Sequence, residues 1–204
     1  MRMRAVLIGI ATVAAAMFAA STANATRTMT ISPGGTVRAS GNDLTMSNSI
    51  VSVFCDHTMT MSIFTRVALN LSPGGLTRIG SVTSRTATSC DGVEGRIFLN
   101  LPWDLAVELP LPSGAGAIAN IVILNAQIEV QVDLSNGLLC LYQGDLRATL
   151  VDINYNGAGD VLQFDSARNQ IPLVSSTTIL CELGGDLSFE GNLSVTPELT
   201  VILS

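Results

Sequence analysis

Few residues in this chain are able to do chemistry, and the most suggestive set carries oxygen at alternate positions: Asp152, Asn154 and Asn156, then Gly157, then Asp160. Alternate oxygens of this kind converge on calcium in a cation-binding loop, where a glycine permits the sharp turn. The twelfth position, where such a loop needs a bidentate glutamate, holds Gln163, and no helical periodicity flanks the run. A polar strand edge closing in an Asn156-Gly157 turn accounts for the same residues. No metal or other cofactor is therefore expected, with Asp152, Asn154, Asn156 and Asp160 standing as the calcium candidate.

His57 is the single histidine and follows Asp56. A Ser-His-Asp triad would have to use it as base, but no Gly-x-Ser-x-Gly elbow accompanies it. One histidine does not make a zinc site once the cysteines are oxidised, so His57 is read as a surface or partly buried residue near a disulfide. Paired carboxylates are the other candidate catalysts: Asp91 with Glu94, Asp104 with Glu108, Glu182 with Asp186. A glycosidase needs two such groups facing across a cleft with aromatic platforms nearby, and strand alternation places most of these acids outward. Trp103, the sole tryptophan, shares the parity of Leu101 and Leu105 and is expected in the core. No catalytic residue is assigned.

The elements that position these groups follow a leader. Arg2 and Arg4, an apolar run from Ala5 to Ala20 and the small-x-small sequence Ala23-Asn24-Ala25 read as a secretory signal peptide over residues 1–25. The run, about 16 residues, is shorter than the roughly 20 that span a bilayer. No transmembrane segment is expected after cleavage, and residues 26–204 make a single all-β domain. Without Arg2 and Arg4, eight basic residues remain against sixteen acidic ones, which argues against nucleic acid as a partner.

Export places Cys55, Cys90, Cys140 and Cys181 in an oxidising compartment, where two disulfides are expected. Sequential pairing, Cys55 with Cys90 and Cys140 with Cys181, closes two loops of similar size. It also matches an internal echo: Cys140 is followed by Gly144-Asp145-Leu146, and Cys181 by Gly185-Asp186-Leu187. Each copy reads as a pinned strand start with a glycine turn.

Strand patterns fill the rest. Period-two alternation runs from Met59 to Leu71, from Ile97 to Leu111 and from Ile118 to Leu134. Ile50 to Cys55 is a nearly continuous apolar run, expected to be buried on both faces. Pro102, Pro110 and Pro112 predict a kinked edge strand. Thr77 to Ser89 is weakly patterned and reads as a short strand plus an exposed loop. Separate strands are expected from Leu138 to Tyr142 and from Leu146 to Tyr155, and a strand from Leu173 to Leu183 brings in Cys181. Leu187 to Leu203 makes two strands or one bent strand.

The expected fold is an antiparallel β-sandwich stapled by disulfides, with a β-barrel as the alternative. The expected function is a non-enzymatic protein, secreted or at the cell surface, that acts by binding a protein or surface ligand or by self-association. A carrier of a small apolar ligand or lipid is the second reading, and a secreted carboxylate-dependent hydrolase the third.

Overall fold

Alternation decides which side chains of a strand face inward; pairing decides whether those faces meet between two sheets or inside one wall. The computed structural model describes residues 28–50, 52–69, 75–91, 97–109, 112, 116–133 and 138–204. The leader, Glu94 and the Asn136-Gly137 turn lie outside the described residues.

Eight strands form the wall: β2 (Gly35–Ser47), β3 (Ser52–Ile63), β5 (Leu76–Asp91), β7 (Trp103–Glu108), β8 (Ala117–Asp133), β9 (Leu138–Val151), β10 (Gly159–Phe164) and β13 (Leu187–Leu203). Each pairs antiparallel with the next, and β13 pairs back onto β2, closing an up-and-down barrel. The expected sandwich is thus corrected to the barrel held as its alternative. Period-two patterning is common to both, and closure depends on curvature. Register shifts at Gly41/Leu44, Thr60/Met61, Arg78/Gly80, Ile123/Ala126 and Glu190/Ser194 supply it, since each bulge bends and twists its strand.

Short elements dress the wall. β1 (Thr28–Ser32) pairs with the far end of β13 and with β4 (Arg66–Ala68), β6 (Ile97–Leu99) with β8, β11 (Gln170–Ile171) with β13, and β12 (Leu173–Ser176) with β9. α1 (Ile179–Gly184) is the only helix among the described residues; the Thr178 hydroxyl caps it by accepting from the Leu180 amide, and Gly185, at φ 69°, ends it. Met29 and Ile31 of β1 join one continuous apolar core with residues such as Met46, Ile79, Leu105, Ile123 and Phe189. Burying each such side chain stabilises the fold by about 1.5–3 kcal/mol.

Several strand expectations are corrected. β7 lies between β5 and β8, so it is not an edge. β5 is a continuous strand of 16 residues where a short strand and loop were expected. Ile50 and Phe54 are half exposed, so this stretch is buried on one face only. The two strands expected on either side of Gly144 are one, β9, and residues 153–158 form a bent loop. The stretch after Leu173 ends in α1 rather than in a strand.

The echoed Cys-Gly-Asp-Leu segments also differ. Gly144 sits mid-strand where Ile171 and Pro172 cross, and a Cβ there would lie 3.1 Å from Ile171 Cγ2, whereas Gly185 is a helix cap. The two copies are bonded to each other, because the disulfides are Cys55–Cys90 and Cys140–Cys181. Each closes a loop of 35 or 41 residues, adding about 4 kcal/mol on the loop-entropy account.

Candidate binding site inside the barrel

On β3 the alternation is unbroken: Val53, Cys55, His57, Met59, Met61 and Ile63 all face the interior. His57 is therefore an inward residue, only 2% exposed, and its reading as a surface or partly buried histidine is corrected. On β5 two register shifts, at Arg78/Gly80 and opposite Thr60/Met61, change the inward parity, so Ile79 and Val82 face in and so does Arg85, paired with Met59. Val82 pairs with Trp103 on β7, and Met46 of β2 pairs with Phe189 on β13. Four strands thus deliver His57, Arg85, Trp103 and Phe189 to one level of the bore.

Arg85 reaches across that level. Its guanidinium carbon lies 5.9 Å from the Trp103 ring centroid on the neighbouring strand and 5.4 Å from that of Phe189, three strands away on the other side. Both distances are within cation–π range. Arg85 Nη2 donates to His57 Nδ1 at 3.2 Å. A guanidinium only donates, so Nδ1 must accept and the imidazole proton sits on Nε2.

Burial, reinforced by the adjacent guanidinium, pushes the His57 imidazolium down to about 3, so the ring is neutral at physiological pH. Burial lowers Arg85 to about 10, which leaves it cationic there. Among the described residues, His57 Nε2, Arg85 Nε and Nη1 and Trp103 Nε1 are buried without a hydrogen-bond partner. All four carry donors. On β9, the Tyr142 Oη accepts from Asn48 Nδ2 at 3.2 Å, and burial raises the Tyr142 phenol.

Asp152 and Asp160, in the calcium candidate, are also buried, but their oxygens are occupied by local donors. Asp152 accepts from the amides of Asn156 (3.1 Å) and Gly157 (2.5 Å); Asp160 accepts from the Ile153 amide at 3.0 Å and from the Asn154 side-chain NH2. Asn156 Oδ1 accepts from the Ala158 amide at 2.9 Å, and the side-chain NH2 of Asn156 donates to Glu198 at 2.8 Å. These bonds hold the turn between β9 and β10.

Two of the carboxylate pairs, Asp104 with Glu108 and Glu182 with Asp186, sit on the outside. Exposed Asp104 pairs with Arg78 at 2.7 Å, and Glu108 with Arg168 at 3.6 Å. Glu182, on α1, accepts from Ser176, and Asp186 is exposed. The described residues contain no group of three or more His, Cys, Asp or Glu placed to hold a metal. Trp103 lies inside, as its parity predicts. Sequence reading missed Arg85, whose parity is hidden by the bulge, and passed over His57, although the Met59–Ile63 alternation extended back two residues would have placed it inside.

The fold and this centre define the class: a closed antiparallel β-barrel with a cationic, donor-rich core and no helix among the described residues long and apolar enough to cross a membrane. The family described as alkane oxidation protein activator PraA/PraB-like has a model that matches residues 1–203, and the chain belongs to that family. No curated protein matches the chain, and no solved structure does.

Proposed function

We propose that this chain is a non-enzymatic binding barrel, working outside the cell or at its surface, that supports alkane oxidation by holding an apolar ligand. The observation that carries this reading is the closed eight-strand wall around a bore lined by methionine and aliphatic side chains. A barrel of this size encloses either its own side chains or one small ligand. Met46, Met59 and Met61 lie in that bore, and unbranched thioethers repack more readily than branched chains to admit a guest. The family name adds the process, since it describes an activator rather than a catalyst.

The test is retention of a hydrocarbon. Purified, oxidised protein equilibrated with dodecane and passed through gel filtration should carry about one alkane per chain, with a raised unfolding temperature, because a ligand bound only by the folded state stabilises it. Protein that emerges free of alkane, with an unchanged melt, would overturn the reading.

Self-association is favoured by a different observation. Ile50, Val174, Ile179, Leu180 and Leu183 are 42–66% exposed around α1, and the Ser49 amide donates to Gly184 O, which brings Ile50 beside the helix end. Oligomers that dissociate on Leu183→Asp would support this second reading; a monomer at all concentrations would remove it.

A further inference from the structure

Three polar side chains, each more than nine-tenths buried, surround one point of the bore: His57 at 2%, Trp103 at 3% and Arg85 at 8% exposure. Their unpartnered atoms are all donors, and the guanidinium of Arg85 is cationic at physiological pH. None of the ion pairs formed by the described residues involves Arg85. A water molecule would meet one or two of these donors and leave the charge uncompensated. A buried charge without a counter-ion costs several kcal/mol, so the chemistry that fits is an anion with more than one acceptor oxygen.

The surroundings say what the anion is attached to. Beside Arg85 along the strands lie Met59, Met61 and Val82, and next to Trp103 lies Leu105, all buried. A bare inorganic anion would leave these apolar neighbours without a role. We propose that Arg85, with the ring N–H groups of His57 and Trp103, takes the carboxylate of an aliphatic acid whose chain lies among the bore's methionine and aliphatic side chains. This rests on the binding-barrel reading and adds the headgroup, so the oxidised form of a hydrocarbon is held in preference to the hydrocarbon itself.

The wall has a break beside this centre. β8 pairs with β7 as far as Leu124 and takes up β6 only at Ile128, and Asn125 between them has φ 51°. Across the break the Asn100 side chain donates to Gln127 at 2.7 Å, so side chains rather than a backbone ladder hold it. A recess of about 320 Å³ opens there, with Trp103 meeting Asn125, Gln127 and Gln143 in its lining. The recess lies on the Trp103 side of the centre, and Asp104, paired with Arg78, lines it as well.

Trp103 is the sole tryptophan and reports on the site directly. Purified, oxidised protein is titrated by calorimetry and by Trp103 emission with dodecanoate, dodecane, dodecyltrimethylammonium and acetate. Dodecanoate is expected to bind on the order of tenfold or more tighter than dodecane, as for a hydrogen-bonded charge, while the ammonium and acetate do not compete. Arg85→Met should abolish the preference for dodecanoate over dodecane.

Equal affinity for dodecanoate and dodecane overturns the carboxylate site and leaves the apolar-ligand reading standing. Binding of neither overturns both. Acetate as tight as dodecanoate overturns the aliphatic part, and dodecyltrimethylammonium as tight as dodecanoate overturns the role of charge. The last comparison uses unaltered protein, so it decides the matter even if Arg85→Met fails to fold.

Discussion

Among the polar side chains buried in this barrel, two groups differ in how their hydrogen bonds are met. Around Asp152 and Asp160, carboxylate oxygens accept from amides and an NH2 within the same short loop. Around Arg85, four donor atoms have no partner among the described residues. A buried polar group satisfied by its own neighbourhood is a piece of architecture. One that is charged and unsatisfied is stable only through something else it binds or through strength elsewhere in the fold. Sequence ranked the two in the opposite order, because the loop resembles a ligand set and the arginine resembles nothing.

Acid should act most strongly, and on the Arg85 group. His57 titrates near 6.5 when unfolded and at about 3 in the barrel. Between these values the unfolded chain binds the extra proton, so folding stability falls as pH drops from about 6.5 toward 3, by several kcal/mol in all. Urea midpoints from pH 7 to pH 3.5 measure this. His57→Gln should flatten the profile, and identical profiles for variant and parent would return His57 to solvent.

The loop comes next. Asp160→Ala leaves the Ile153 amide without its acceptor and should cost about 2–3 kcal/mol of stability while dodecanoate affinity stays as it was. Added calcium should leave the parent's unfolding midpoint unchanged; a rise that depends on Asp152 and Asp160 would turn the brace into a cation site and erase the contrast.

Arg85→Met gives the smallest effect, with the opposite sign. Replacing an unneutralised buried guanidinium by an apolar chain should raise stability in the absence of ligand by about 1–2 kcal/mol, read from thermal or urea unfolding at pH 7. A loss would mean that stacking on Trp103 and Phe189 outweighs the desolvation of the charge.

The parts of the fold legible from sequence are those fixed by local pattern. Alternation over Met59 to Ile63 and over Ile128 to Val130 marks strands and their inward faces, and the preferred disulfide partners are the ones observed. Closure was not legible, because it depends on β13 finding β2 across the whole chain and on bulges that period-two patterning does not announce. The same bulges hide the site. Two inward residues in a row, Ile79 and Gly80, and then Val82 and Arg85 follow no fixed period, so the stretch reads as a loop. The Cys-x3-Gly echo misled for a related reason: glycine answers two different demands, a close strand crossing at Gly144 and a positive φ at the helix end at Gly185.

The seam between β2 and β13 has one more consequence. Ser47 and Ser188 face each other across it, 141 residues apart, and β13 also completes the pairing of β10 and β1. Without β13 the wall would have a bare edge on β2 and another on β10, so a chain shortened before Leu187 would be not a smaller barrel but an open template for its neighbours. Closure of the bore around its arginine therefore depends on a contact of large sequence separation, the kind that slows folding.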